Sequence, residues 1–397
     1  MAPRLRVIVI GGSLGGLAAA AALRAIGCDV AVFERSAVSL TDRGAGIRMR
    51  PVMQDLLRRR AGLDLGPIST TVEIARYFKP GARPDEQPLA AEFTAWATLN
   101  KALLSLVPSE TYHLGAAFVG LSQTSERVEA RFADGRVETG DLLVFADGTN
   151  STGRRRLIPD SEPRYAGYVC WRGCVPEMEV DRAAWAVLQD AVNVVLLAPG
   201  YFGCYPIPGP DGSLQTGRRL LNWVWYRNVA AGADFDELMT DRAGAPRVSS
   251  LAPGAVQARF IEDLHAEAAR LPPAMAELVR RTDHPFIQTV FDVQVPQMAV
   301  GRACLIGDAA FGGRPHLGAG TAKAAVDAWA LADALAAHGF DVPAALAAWE
   351  AVQRPLGQEF VDRNRRLGES FQSEAGASVD DVELRPEWSG KLATASV

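Results

Sequence analysis

Four stretches of this 397-residue chain carry groups fit for chemistry. In the first, Gly11, Ser13, Leu14 and Gly16 lie between the apolar run Val7–Ile10 and an alanine-rich stretch, and Glu34 and Arg35 follow farther on. A Gly-x-Gly-x-x-Gly turn with an acidic residue about 20 positions on is a dinucleotide fingerprint, and here Ser13 stands in the second glycine's place. Gly11 permits the tight turn, Gly16 lets helix and strand pack closely, and the Ser13 hydroxyl can bond a phosphate oxygen. The helix start adds ~0.3–1 kcal/mol toward an anion, and Glu34 is placed for ribose hydroxyls. The second stretch, Gly301–Ala310, ends a strand on Gly307-Asp308, and Gly318-Ala319-Gly320-Thr321 then opens a helix. A carboxylate such as Asp308 can hold a ribityl or ribose hydroxyl, and amides at the helix start can face a ring edge where negative charge grows on reduction. An enzyme binding NAD alone has no use for this half-site, so the pair of motifs points to FAD. Ala146-Asp147-Gly148 is the third, a carboxylate at a strand end that can cap a structural turn. In the fourth, Arg314 and His316 flank Pro315. Histidine near pKa 6.5 suits a base that takes a hydroxyl proton, with Arg314 steadying the oxyanion; a loop-capping histidine and an arginine paired to a surface acid are the alternatives. Gly46 and Ile47 form a flexible, close-approaching segment before Arg48 and Arg50, a basic pair for an anion or a solvated loop.

These groups need rigid elements behind them. Val7–Ile10 reads as a strand buried on both faces, Leu17–Ile26 as a helix stopped by Gly27, and Val30–Phe33 as a second buried strand, a βαβ opening. Phe118–Gln123, Val128–Phe132 and Arg136–Glu138 read as a meander, turning at Asp134-Gly135, before the buried strand Leu142–Phe145. Residues 164–230 hold Trp171, Trp223, Trp225, Tyr165, Tyr168, Tyr201, Tyr205 and Tyr226 in strand-like stretches. They predict an antiparallel sheet whose rings are either core or pocket wall, with Tyr205 and Tyr226 as substrate-contact candidates by position. Residues 234–281 look helical, Phe286–Val295 and Ala303–Ile306 are strands, and helices follow at Thr321–His338 and Pro343–Leu367. The tail from Ser370 is frayed or docked on the surface. The expected fold class is α/β. A Rossmann-like FAD-binding domain on a mostly parallel sheet (1–70, 99–163 and 284–340) is interleaved with a substrate domain on an antiparallel sheet (71–98 and 164–283), and C-terminal helices and a tail follow (341–397).

Hydrophobic residues at 48% and charged residues at 22% exclude a mainly disordered or fibrous chain. A formal net charge of −5 gives no field to recruit nucleic acid. The apolar run after Arg4 and Arg6 breaks at once on Gly11-Gly12-Ser13, unlike a signal peptide. No uninterrupted apolar run of about 18 residues exists for a spanning helix. Five scattered cysteines, with Cys170 and Cys174 four apart, favour a reducing cytoplasm over disulfides, a zinc knuckle or a redox pair. His113, His265, His284 and His338 are dispersed, so no metal is expected. There is no Gly-x-Ser-x-Gly elbow and no Walker loop.

Taken together, Gly11–Gly16 with Glu34, Ala146-Asp147-Gly148 with Ser151 and Arg154, and Gly307-Asp308-Ala309-Ala310 resemble the three signatures of single-component, class A flavoprotein aromatic hydroxylases, over residues 5 to about 340. Gly11-Gly12-Ser13, Tyr165–Gly173, Tyr205–Gly209 and Arg314-Pro315-His316 resemble, more narrowly, the 2,6-dihydroxypyridine 3-hydroxylase branch. The resemblance implies FAD reduced by NADH or NADPH, O2 activated as a C4a-hydroperoxyflavin, and oxygen transfer to a ring with an ionised hydroxyl. It also implies that Asp147 and Gly148 serve FAD and NAD(P)H, and that the Glu34 edge holds the FAD adenosine, so Arg35 says nothing about NADPH. Three positions depart from the family. Asn100, or Lys101, stands where an arginine often bonds the flavin. Phe145 replaces a glycine, which reshapes the nicotinamide approach, and Phe311 replaces a histidine, leaving His316 as the nearest imidazole.

The reading is an FAD-dependent monooxygenase hydroxylating a small electron-rich aromatic or N-heteroaromatic ring, a dihydroxypyridine first. It would act in the cytoplasm as a monomer or homodimer, with no nucleic-acid or membrane partner. The rivals are the same chemistry on a larger natural product, and a flavin- or nucleotide-binding sensor without turnover.

Overall fold

The computed structural model describes residues 5–40, 44–62, 67–79 and 83–373. One sheet has six strands in the order Ala299–Val300, Ala303–Leu305, Leu142–Phe145, Arg6–Ile10, Asp29–Phe33 and Tyr112–His113. All neighbours pair in parallel except the first two. Parallel strands are covered on both faces and so are apolar throughout; Val7, Ile8 and Val9 are each 0% exposed. The helix Leu14–Ala25 packs against the helix Gly320–Ala337, and alanines on both permit a close approach. The meander forms a separate three-stranded sheet of Phe118–Gln123, Val128–Phe132 and Val137–Gly140.

The second large sheet has nine strands in the order Ser250–Leu251, Phe286–Asp292, Arg164–Pro176, Leu220–Asn228, Tyr201–Ile207, Val192–Leu196, Thr70–Phe78, Asp85–Ala95 and Gly46–Met49. Pairing is antiparallel except between Val192–Leu196 and Thr70–Phe78. Gly46–Met49 and Phe286–Asp292, expected in the FAD-binding region, are strands of this sheet. Both are half-buried, mixed-polarity segments, suited to a sheet covered unequally on its two faces rather than to a doubly buried parallel one.

Side-chain alternation sorts the aromatic residues of this sheet. Trp171, Trp223, Trp225 and Phe202 face a core closed by the helices Arg182–Leu188, Ala258–Glu267 and Pro273–Arg281. Tyr168, Tyr201, Tyr205 and Tyr226 face the other way. The stretch 234–281 is helical as expected at its two ends, with the short strand Ser250–Leu251 between them. The last helix runs Val342–Gln372, longer than expected, around Pro355, and the tail beyond residue 373 lies outside the described residues.

Candidate active site

Two cavities lie where the sheets meet. The one beside the first glycine turn has about 520 Å³ and is lined by Gly11, Ser13, Leu14, Glu34 and Arg35 among others. Gly16 does not line it. A Cβ there would stand 1.8 Å from the Gly11 carbonyl oxygen, so Gly16 is the packing point that brings the helix start onto the turn. Ser13 is the N-cap of the Leu14–Ala25 helix, yet its hydroxyl makes no capping bond and is available to the cavity. The buried Glu34 carboxylate accepts from the Gly12 N–H (2.8 Å) and the Ser36 N–H (2.8 Å), which fixes it at the cavity edge while leaving lone pairs for hydroxyl donors.

The second cavity, about 610 Å³, shares a wall with the first: Arg35, Trp96, Asp147, Gly148, Asp308, Gly320 and Thr321 line both. Asp147 lines both cavities and also holds the turn that follows it. One carboxylate oxygen accepts from the Thr152 and Gly153 N–H groups (2.8 and 3.1 Å) and caps the helix Thr152–Leu157, while the other is buried without a partner. Burial pushes its pKa up. Asp308 is exposed to both cavities; desolvation by the surrounding protein, offset by Lys323, holds its carboxyl above the usual range. Two linked cavities with an orphaned carboxylate oxygen, a free serine hydroxyl and a helix start at Gly320 fit a dinucleotide flavin: acceptors meet hydroxyls and amides meet anionic or electron-rich edges.

The far end of the larger cavity is built on one face of the nine-stranded sheet. Register places Tyr201, Tyr226, Cys170 and Gln288 in one row across four strands. Gly203, Val224, Arg172 and Phe286 form the next, and Tyr205, Asn222 and Cys174 the third. Gly46 is clamped against this face: its N–H donates to Asn222 Oδ1 (2.8 Å), and its carbonyl accepts from Arg172 Nη2 (2.8 Å) and the Tyr205 hydroxyl (3.3 Å). A Cβ at Gly46 would meet Tyr205 at 2.7 Å, so only glycine lets this strand lie so close. Ile47, Arg48, Gly318 and Ala319 line the same cavity, as do Leu367 and Phe371 of the last helix.

His316 and Arg314 are brought to this cavity, but in roles other than those expected. The Arg314 guanidinium grips Asp292, with Nη2 at 3.0 Å and Nε at 3.1 Å, and both side chains are almost fully buried. It is therefore a structural ion pair rather than a cation held ready for a substrate oxyanion. His316 Nε2 shares a 2.6 Å hydrogen bond with the Tyr168 hydroxyl, and Nδ1 lies 3.4 Å from that of Tyr201. Its ring sits among Tyr201, Tyr226 and Phe371. Burial first, and Arg314 second, lower its pKa to about 3, so it is neutral and a weak base at neutral pH. A histidine depressed in the folded state costs stability as the unfolded chain takes up the proton. Wild-type stability should fall as pH drops from about 6.5 toward 3, with a slope from this group approaching ~1.4 kcal/mol per pH unit. His316→Gln should lack that component; equal acid sensitivity of the two in urea melts at pH 7 and pH 4.5 would contradict it.

Other expectations are corrected by placement. Asn100 lies one turn inside the helix Trp96–Leu104, 1% exposed and lining neither cavity; Trp96, at the helix start, lines both. Lys101, the alternative, is exposed on the same helix. Arg50 is turned away from the cavities and donates to the Leu317 carbonyl, whereas Arg48 lines the larger one. Phe145 is 0% exposed, edge-on to Phe118, and Phe311 is 1% exposed beside Lys323, so neither shapes an approach path. Reading the sequence passed over Arg172, Trp96 and Gln288 as site residues. Alternation along Tyr168-Val169-Cys170-Trp171-Arg172 carried the signal, because it puts Tyr168, Cys170 and Arg172 on the face opposite Trp171. All five cysteines are free, and among the described residues no group of His, Cys, Asp and Glu is arranged to hold a metal. Among those residues no helix is long and apolar enough to cross a membrane.

The paired cavities, parallel nucleotide-binding sheet and antiparallel second sheet define a flavin-dependent oxidoreductase. Residues 6–76 match the pyridine nucleotide-disulphide oxidoreductase family and residues 165–292 the family described as FAD binding domain-like. Aurachin C monooxygenase/isomerase of Stigmatella aurantiaca is 31% identical over 93% of this chain and 90% of its own. The chain belongs to the class A FAD-dependent aromatic hydroxylases. Within them it is similar to 2,6-dihydroxypyridine 3-monooxygenase of Paenarthrobacter nicotinovorans, 37% identical over 92% of this chain and 91% of that one. The solved structure of 2,6-dihydroxypyridine-3-hydroxylase from Arthrobacter nicotinovorans superposes with a TM-score of 0.88 at 36% identity, covering 95% of this chain and 94% of the other.

Proposed function

We propose that this enzyme hydroxylates a small electron-rich aromatic or N-heteroaromatic ring, a dihydroxypyridine first, using FAD, NADH or NADPH, and O2. The observation that carries this reading is the 610 Å³ cavity: a tricyclic flavin ring takes a large share of it, and the remainder, boxed by Tyr201, Tyr226, His316 and Phe371, suits one ring rather than a fused natural product. Bound FAD supplies the redox chemistry, accepting hydride from the nicotinamide and passing on one oxygen atom of O2. The chain supplies position and polarity. Gly11, Ser13 and Leu14 meet the phosphates at the helix start, with Gly16 packed beneath, and Glu34 and Arg35 take the adenosine end. Asp147, Gly148 and Asp308 hold the ribityl region, and the Gly318–Thr321 amides and the Gly46-Ile47 backbone border the ring. Arg48, Tyr205 and Tyr226 face the substrate. His316, neutral and hydrogen-bonded, orients Tyr168 and Tyr201 and excludes water from the ring box. The site works in the cytoplasm, where both nicotinamides are at hand.

The test is oxygen consumption by FAD-loaded protein with either nicotinamide, across 2,6-dihydroxypyridine, simple phenols and a polycyclic phenol. Stimulation by the single rings alone is expected. Stimulation by the polycycle alone would move the substrate to larger molecules, and NAD(P)H-independent binding without turnover would support a sensor.

A further inference from the structure

Among the described residues the well-buried cations face either carboxylates or, like Arg154 and Arg50, backbone carbonyls, and Arg172 is a half-buried cation on the cavity wall. Arg314 faces Asp292, Arg219 faces Glu177 and Lys323 faces Asp327. Arg172 bonds two neutral acceptors instead, Gln288 Oε1 at 2.8 Å through Nη1 and the Gly46 carbonyl at 2.8 Å through Nη2. Its Nε is buried with no partner. The ionisable groups around it are Cys170, Cys174, Tyr205 and Tyr226, and burial keeps all four protonated at neutral pH: both thiols are pushed up to about 11 and Tyr205 to about 12. An arginine stays charged in such surroundings. The sheet register sets it mid-face, beside Val224 and one row from Tyr226, in the wall of the 610 Å³ cavity. A fixed positive charge in a low-dielectric wall, with a spare buried N–H and no counter-ion among the described residues, is a site waiting for an anion.

We infer that Arg172 receives the ionised hydroxyl oxygen of the ring substrate and so selects hydroxyaromatics that bind as their anions. This rests on the ring-hydroxylating reading above. In the bound state the ring O–H bond breaks, its proton leaves to water, and the electron pair remains on the oxygen facing the guanidinium. The neutral His316, already shared by two tyrosines, is not required as the acceptor. The retained electron pair is what makes the ring carbons nucleophilic toward an electrophilic oxygen. Arg172 is thus a specificity residue, and because it also grips the Gly46 carbonyl, it ties the substrate to the strand that borders the flavin space.

The experiment is 19F NMR of 2,6-difluorophenol bound to the FAD-loaded protein without nicotinamide, with the fluorine shift followed against pH. The bound hydroxyl should ionise at least about one pH unit below its value in water, a tenfold shift in the ratio of anion to neutral form. Arg172→Gln should abolish that shift and weaken binding of the anion at least about tenfold, and Arg172→Lys should keep most of it. A bound hydroxyl that titrates as it does in water overturns the inference without any variant. So does a depression that survives Arg172→Gln or is lost in a folded Arg172→Lys. A probe that never binds overturns the ring-hydroxylating reading as well, whereas one that binds and ionises independently of Arg172 overturns this inference alone.

Discussion

Gly16→Ala is expected to weaken FAD binding about 100-fold while the protein stays folded. The added Cβ would lie 1.8 Å from the Gly11 carbonyl oxygen and 2.9 Å from its carbonyl carbon, both backbone atoms in the turn itself. Neither can swing aside as a side chain would, so the Leu14–Ala25 helix start and the Gly11 turn must part. That moves the Ser13 hydroxyl and the first helical amides away from the smaller cavity, and the turn is also tied to the neighbouring strand by the Gly11 N–H, which donates to the Phe33 carbonyl (2.8 Å). Anion binding at a helix start depends on those amides converging on one point. The expected loss is about 100-fold in affinity, roughly 2.7 kcal/mol, read by flavin fluorescence in a titration of apoprotein. Wild-type affinity with unchanged circular dichroism would contradict the placement of the cofactor's phosphates.

Arg154→Met should cause the largest loss of stability from a single side chain near the site. Arg154 is 0% exposed, and its guanidinium donates to three backbone carbonyls: Ser161 at 2.9 Å, Ala309 at 3.1 Å and Thr149 at 2.5 Å. Those carbonyls lie in the loop after Gly148, in the segment leading to the second sheet, and in the turn carrying Asp308. One residue therefore joins the walls of both cavities. Methionine fills similar volume but leaves three buried acceptors unpaired, which costs ~3–5 kcal/mol. A lysine recovers only part, because one ammonium on a flexible stem cannot match three divergent carbonyls. Urea melts should show the midpoint falling at unchanged slope; a change within ~0.5 kcal/mol would show the three bonds to be incidental.

Much of the nucleotide-binding half could be read from the chain because its signals are local. Val7–Ile10 and Leu142–Phe145 are unbroken apolar runs, and doubly covered parallel strands leave no other reading. The turn motifs carry their own geometry. The substrate end depends on pairings remote in sequence. Arg314 looked available because Asp292 lies on another strand end, and nothing local to either residue announces the pair. Asn100 falls four residues inside its helix, because the strand Asp85–Ala95 runs into that helix at Trp96 with no turn residue to mark the start. The tyrosine and tryptophan faces alternate visibly, but which one walls a cavity is set by the helices between Arg182 and Arg281, which cover the tryptophans and leave the tyrosines open. Gly46–Met49 is a similar case: its place in the second sheet follows from pairing with Thr94 and Phe93, not from its own four residues.

The most direct test of the central claim is to supply isotopically labelled O2 to FAD-loaded protein with NADH or NADPH and 2,6-dihydroxypyridine, and to weigh the product. The account predicts one labelled oxygen atom added to the ring, in step with nicotinamide oxidised and with little peroxide. Nicotinamide oxidation that yields only peroxide and an unlabelled ring, across this and the simple phenols, would contradict it.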